Sequence, residues 1–309
     1  MKIARVALSF AFAWSCLSGG AAAQMDPHAG HYAMALQAGG ATSGPRDEKL
    51  PAADEQSKAA INSSPRHGEW VDVKVPGSPQ AVRTWVVYPE RKDKAPVVIV
   101  IHEIYGMQDW IRGVADQLAK EGFIAVAPDL VSGKGPNGGN SDSVPTRDDV
   151  TKLVRALSPE EAMSRLNAVR DYALKIPAAN GKTATVGFCW GGSTSFAYAA
   201  AQPGLNAAVV YYGTAPTEAG TPGKIDASKI AAIKAPVLGL YGGDDARVNA
   251  TIDPTEAEMK KAGKAYEHHV FDGAGHGFLR AQADRNGANM KASQEGWPKT
   301  VAFIRQQTK

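Results

Sequence analysis

Two hydrophobic patterns follow one another along the chain. Apolar and polar residues alternate from Trp70 to Val75 and again from Val82 to Tyr88, with Pro76-Gly77-Ser78-Pro79 between them. Alternation at period two gives a strand one apolar and one polar face, so the pair predicts a hairpin at the edge of a sheet. The pattern then changes. Val97-Val98-Ile99-Val100-Ile101 is an unbroken apolar, β-branched run, as expected of a strand covered on both faces. Short apolar runs recur at Phe123 to Ala127, Thr183 to Phe188, Ala207 to Tyr212, Val237 to Tyr241 and Tyr266 to Phe271. Helix-length segments separate them at Met107 to Glu121, Glu160 to Lys175, Gly191 to Ala201 and Asp253 to Ala262. This rhythm predicts an α/β fold, a mostly parallel central sheet with helices on both faces. Trp297 to Gln307 predicts a closing helix, with Pro298 near its start, where a missing N–H costs no hydrogen bond.

Three segments stand outside the rhythm. Residues 1–23 have the form of a secretory signal peptide: Lys2 and Arg5, an apolar stretch from Val6 to Leu17, then the small residues Ala21-Ala22-Ala23. The apolar stretch is short for a membrane span, so export to the periplasm or medium is expected, with no stable membrane association. Residues 24–66 form a polar N-terminal extension, with a short helix expected near Asp54 to Ile61. Its His28 and His31 read as surface histidines, and no metal site is expected anywhere in the chain. A single domain is expected over 67–309, and within it 129–158 is long and rich in Gly, Ser, Asn and Pro in its first half. It leaves the carboxyl end of a strand, the side on which such sheets bind ligands, so it is a candidate lid or pocket wall.

Charge adds little. The chain carries 34 basic and 31 acidic residues, and loss of Lys2 and Arg5 with the leader leaves 32 against 31. No dense basic stripe points to nucleic acid. No glycine-rich phosphate loop with its lysine and no early dinucleotide fingerprint calls for a cofactor. The helices show no coiled-coil seam, and the expected state is a monomer. Cysteine use is more telling. Cys16 lies in the leader, so Cys189 is the only cysteine of the processed chain. It has no disulfide partner there, and a lone thiol in an oxidising compartment is a liability unless buried or used.

The surroundings of Cys189 favour use. In Val186-Gly187-Phe188-Cys189-Trp190-Gly191-Gly192 an apolar run passes straight into a helical one with a nucleophile at the corner. Glycines two before and two after the corner leave room for a strained backbone. The amino end of the following helix favours a thiolate, and the Trp190 N–H is offered to a developing oxyanion. A thiol nucleophile needs a base, and the base needs an orienting carboxylate. Three histidines follow Cys189. His268 and His269 fall inside a strand, whereas His276 lies just past it, in Gly273-Ala274-Gly275-His276-Gly277, and is the candidate base. The acid is expected at the exit of the preceding strand, in Gly242-Gly243-Asp244-Asp245, where the local pattern leaves both aspartates open. The first buried strand exits through His102-Glu103-Ile104-Tyr105-Gly106, where the Ile104 N–H is the second oxyanion donor and Glu103 lies beside the reaction centre.

These blocks resemble the dienelactone hydrolase (carboxymethylenebutenolidase) family over roughly Val82 to Gln307, with Ala127-Pro128-Asp129-Leu130 and Gly275-His276-Gly277-Phe278-Leu279-Arg280 adding to the likeness. The resemblance implies an α/β-hydrolase fold and a carboxylic ester hydrolase without cofactors, acting on a small-molecule ester or lactone. It implies Cys189 as nucleophile and His276 as base. It implies Asp245 rather than Asp244 as the acid, because of Val248 three residues on. Glu103 becomes the glutamate that assists the thiol when substrate binds, and Arg280 an arginine for the substrate carboxylate. A second arginine precedes the nucleophile in the family, and both Arg147 and Arg155 lie in about that region. The expected reaction is hydrolysis of a carboxylate-bearing lactone or ester through a cysteine acyl-enzyme. The competing expectations are a general small ester or thioester hydrolase with the same triad, and a non-catalytic binding protein on the same fold.

Overall fold

The computed structural model describes residues 46–221 and 223–309. The leader at 1–23 and the extension up to residue 45, with His28 and His31, lie outside the described residues. Eight strands form one sheet: β1 (Gly68–Lys74), β2 (Ala81–Val87), β3 (Ala95–Ile101), β4 (Ile124–Pro128), β5 (Ala179–Phe188), β6 (Ala207–Tyr211), β7 (Val237–Gly242) and β8 (Tyr266–Phe271). Their order is β1-β2-β4-β3-β5-β6-β7-β8. β1 and β2 form the antiparallel edge hairpin, and β2 pairs antiparallel with β4. From β4 to β8 every pairing is parallel.

Nine helices accompany the sheet among the described residues: α1 (Asp54–Asn62), α2 (Asp109–Lys120), α3 (Arg147–Arg155), α4 (Pro159–Ala173), α5 (Trp190–Ala201), α6 (Ala227–Ala232), α7 (Ala246–Asn249), α8 (Ile252–Lys261) and α9 (Ala288–Gln307). The central strands β3, β4, β6 and β7 are buried at every position, so the middle of the sheet is covered on both sides. Val98 and Val100 of β3 pack with Trp110, Val114 and Leu118 of α2 and Trp297, Val301 and Ile304 of α9. Val97, Ile99 and Ile101 face the other layer, with Leu166 and Val169 of α4, Phe196 of α5 and Met259 of α8. Two cores follow from one unbroken run, since successive side chains point to opposite faces.

The closing helix differs from its expected extent. It begins at Ala288, so Pro298 lies inside it rather than in its first turn. The first half buries Asn289, Ala292, Ser293 and Gly296, small or polar residues that leave no hydrophobic period to read. The segment 46–66 is docked rather than loose. Leu50 joins the core beside α2, and the Gln282 side chain donates to the Pro51 carbonyl at 2.8 Å. Arg66 closes a bidentate pair with Asp116 of α2 (2.9 and 2.5 Å). Segment 129–158 contains α3 and is pinned by buried Asp129, which accepts from the Ser141 N–H and hydroxyl at 2.8 Å each. Val131, Val150 and Val154 pack with Ile104, so the segment forms a wall over the β3 exit. Among the described residues no helix is long and apolar enough to cross a membrane.

Candidate active site

The strand order reverses direction around β3: the chain steps from β3 to β4 on one side and then back across to β5 on the other. In sheets of this kind ligands bind outside the carboxyl ends of the strands at such a point. Glu103 leaves β3 there and Cys189 leaves the neighbouring β5. Asp245, Tyr212 and His276 follow β7, β6 and β8 on the same edge.

Cys189 has φ 55° and ψ −115°, a left-handed corner that a residue with a side chain adopts at a cost of about 1–3 kcal/mol. Its N–H donates to the Tyr211 carbonyl at 3.0 Å, and its own carbonyl accepts from the Ser193 N–H at 3.1 Å. The flanking glycines are required by contact. A Cβ on Gly187 would sit 1.9 Å from the Gly191 carbonyl oxygen, and one on Gly191 would sit 2.3 Å from the oxygens of Ile101 and His102. Trp190 opens α5, where the first N–H groups have no acceptor within the helix. The other expected donor, Ile104, lies in the β3 exit turn, with its carbonyl near the Thr151 hydroxyl (3.4 Å).

The His276 imidazole presents Nδ1 to Asp245 Oδ2 at 2.5 Å. Asp245 is almost fully buried and caps α7 through the Val248 N–H. Asp244, next to it, turns outward to Arg285 at 3.1 Å. Only one of the two aspartates therefore meets the imidazole. Burial alone would push His276 down, but the charge of Cys189, the Asp245 hydrogen bond and the Cys189 hydrogen bond outweigh it and raise the imidazole to about 10. Burial opposes the charge on Asp245 too, yet the His276 hydrogen bond and charge hold its carboxyl below the usual range. The geometry thus joins imidazole and carboxylate directly, and the charge of Cys189 acts on the same ring. His268 stacks on Tyr266 and His269 pairs with Glu267, both along β8.

Glu103 is buried and accepts from the Arg280 Nε–H at 2.8 Å. Burial would lower the Arg280 guanidinium, but the charges of Glu103 and Asp54 keep it firmly protonated. Arg147 reaches the same place. Its guanidinium lies over the Tyr105 ring at 5.2 Å, with that of Arg280 at 5.6 Å from the same ring. Both arginines contact Asp54 Oδ2, at 2.7 Å from Arg147 and 3.5 Å from Arg280. Arg155 lies at the opposite end of α3 from Arg147. An open cleft of about 320 Å³ is lined by Tyr105, Met107, Ser141, Arg147 and Val150.

Three further residues shape the site: His102, within the strand-exit block of the sequence, and Tyr212 and Asp54, which carry no local signal. His102 is fully buried and stacks on the Trp190 indole, ring centroids 5.4 Å apart. Its Nε2 accepts from the Leu130 N–H at 3.2 Å, which leaves Nδ1 to donate to the Glu103 carbonyl at 2.7 Å. That latch ties the β3 exit to the β4 exit, and burial keeps the ring in its neutral form. Tyr212, at φ 40°, brings its ring within 4.9 Å of His276. Burial, then the Glu103 charge, pushes its phenol well above its ordinary value. Asp54 belongs to the N-terminal segment and touches both arginines. Among the described residues no group of three or more His, Cys, Asp or Glu is placed to hold a metal ion.

A mostly parallel eight-stranded sheet with helices on both faces and a strained residue between close-packed glycines at a strand-to-helix corner defines an α/β-hydrolase. A sequence profile of the dienelactone hydrolase family matches residues 82–308, and the chain belongs to that family. A Methylorubrum extorquens protein named "Putative carboxymethylenebutenolidase" is 32% identical over 239 residues, 76% of this chain and 80% of that one. The carboxymethylenebutenolidase of Pseudomonas putida is 31% identical over 193 residues, 62% of this chain and 78% of that one. Among solved structures, a "Putative Dienelactone Hydrolase" from Klebsiella pneumoniae superposes with a TM-score of 0.67 at 28% identity, over 78% of this chain and 99% of that one. The chain is accordingly a carboxylic ester hydrolase acting on small-molecule esters or lactones.

Proposed function

We propose that the enzyme hydrolyses a small lactone or ester carrying an acidic group, through an acyl-enzyme on Cys189. The observation that carries this reading is the strained Cys189 corner at the sheet edge that also holds the His276 imidazole bonded to buried Asp245. In the resting site Glu103 is held by Arg280. A substrate carboxylate engaging Arg280 and Arg147 would loosen that hold and bring the Glu103 carboxylate toward the Cys189–His276 pair, whose proton rests on His276. The thiolate sulfur then bonds to the carbonyl carbon while the carbonyl π pair moves to oxygen, facing the N–H groups of Ile104 and Trp190. Collapse breaks the C–O bond, and the leaving oxygen takes the proton carried by His276. Water attacks the thioester, giving a proton back to His276, and the thiolate leaves as the acid is released.

Purified enzyme would be assayed on dienelactone and on matched acidic and neutral esters. Cys189→Ala is expected to reduce every turnover by about a thousandfold or more. Residual activity above a few percent would exclude Cys189 as nucleophile. N-terminal sequencing of enzyme from the periplasmic fraction, expected to start at Gln24, tests the export that residues 1–23 suggest. A neutral-substrate reading has one observation in its favour: both arginines already hold carboxylates, Asp54 and Glu103. Arg280→Ala separates the two readings. It should cost acidic substrates about 10- to 100-fold more than neutral ones, and equal losses would support the neutral reading.

A further inference from the structure

Asp54 is the residue of this site that stands outside the span matched by the family, residues 82–308. It is brought in by the N-terminal segment, and its position is built. The Asp54 backbone N–H donates to the Arg280 carbonyl at 3.0 Å, fastening the first turn of α1 directly to the arginine's own main chain. Buried Gln282 holds the Pro51 carbonyl, and Leu50 is sunk in the core, so the approach to α1 is fixed from below. Arg66 fixes the far end by its bidentate pair with Asp116. The side chain then has little choice of direction. One oxygen, Oδ2, bridges Arg147 and Arg280, above the ring of Tyr105.

A carboxylate oxygen shared by two guanidiniums on an aromatic floor is the arrangement an acidic substrate would need. Asp54 supplies it from within the chain. Two arginines face two carboxylates, Asp54 and Glu103, so the resting cluster of four is balanced in charge. The Asp54 side chain keeps 26% of its surface exposed and Arg147 keeps 52%, so an anion from solvent can reach the pair. Arg280 and Glu103 are far more enclosed, at 17% and 4%. Of the two carboxylates, Asp54 is therefore the one an incoming anion can displace first.

We infer that Asp54 is an internal competitor for the substrate's acidic group: it occupies the Arg147–Arg280 pair at rest and sets how strongly the site discriminates between acidic and neutral esters. This rests on the reading that Cys189 hydrolyses esters at this site. Displacing Asp54 must cost an acidic substrate part of its binding energy, and a neutral substrate has nothing to displace. The effect belongs in KM for acidic substrates, because the ion pair is exchanged on binding and does not change between bound substrate and transition state.

The test compares 4-nitrophenyl hemisuccinate with 4-nitrophenyl butyrate in the full-length processed enzyme and in Asp54→Asn. The asparagine keeps the backbone bond to Arg280 and removes the charge. The ratio of kcat/KM values, acidic over neutral, should rise about 3- to 10-fold, carried by a lower KM for the hemisuccinate. Inhibition by free succinate should tighten by a similar factor, a readout independent of turnover. A ratio that stays constant or falls overturns the inference, because Asp54 would then be inert or would position the arginines for the substrate. Asp54→Ala repeats the comparison without an amide that could hydrogen-bond the arginines, and unfolding midpoints of both variants confirm that folded enzyme is compared. Failure of the wild type to hydrolyse either ester is a different result: it removes the proposed activity and is distinguishable from an unchanged ratio.

Discussion

At the scale of single residues, the site is an exercise in keeping charge where water is scarce. His276 is raised to about 10 because its partners, the charge of Cys189 and the Asp245 hydrogen bond, outweigh burial. A raised imidazole stays protonated through neutral pH and can serve as the acid for the leaving oxygen. The kcat/KM profile of the free enzyme should therefore hold through neutral pH and fall on the alkaline side near pH 10. Asp245→Asn removes the charge and part of the hydrogen bonding that raise His276, so the alkaline limb should move to lower pH and the plateau should drop. A limb that stays in place in the variant would show that Asp245 does not set the imidazole's charge. Cys189, His276 and Glu103 stand out in the sequence as candidates because each sits in a short loop of glycines or at a strand end, a local mark of a chain corner at the sheet edge. The pattern left Asp244 and Asp245 open, and the structure separates them, sending Asp244 to Arg285 and Asp245 to the imidazole. Asp54 and Tyr212 carry no such mark. Asp54 meets Arg280 only because the chain folds back across more than two hundred residues, and no local pattern records that contact.

At the scale of elements, the strands were easy to read and the docked segments were not. A strand buried on both faces announces itself as an apolar run, as β3 does. The beginning of α9 carries Asn289, Ser293 and Gly296 on its buried side, so its fit comes from small size and hydrogen bonds rather than apolar periodicity. Polar composition hid the docking of the segment 46–66 for the same reason. It is held by specific contacts: Gln282 to Pro51, Lys120 to the Glu48 carbonyl, and Arg66 to Asp116. The last pair has only 10% and 9% of its side-chain surface exposed, with the Ser64 hydroxyl completing the Asp116 shell at 2.5 Å. Removing one member of so enclosed a pair leaves the other charge without its partner. Arg66→Ala should lower unfolding stability by about 2–4 kcal/mol, measured by urea denaturation. A loss below about 0.5 kcal/mol would show that the clamp does not hold α1 to α2. If the clamp loosens α1 locally, the variant should also discriminate less against acidic substrates, which ties the element to the Asp54 contact.

At the scale of the whole molecule, the candidate catalytic groups come from strands spread across the sheet, so the contacts between them also help to close the fold. His276 after β8 and Asp245 after β7 join neighbouring exits, and the charge of Cys189 after β5 acts on the His276 ring. Their shifts then have consequences for stability. His276 goes from an ordinary value of 6.5 to about 10 in the folded protein. A raised pKa means that the folded state binds the proton more tightly, so this contribution is complete below about pH 6.5 and is lost as pH rises toward about 10. Asp245 shifts the other way, held below its ordinary 3.8, so its contribution is present above that pH and is lost as the medium becomes more acidic. Both contributions overlap between about pH 4 and pH 6.5. His276→Gln removes the titrating ring and leaves Asp245 a neutral neighbour. The stability advantage of the wild type over His276→Gln, followed by urea midpoints, should be greatest in that window and should shrink steadily toward pH 10. An advantage that grows with pH through this range would reverse the sign of the His276 shift, and with it the assignment of a protonated imidazole to the resting site.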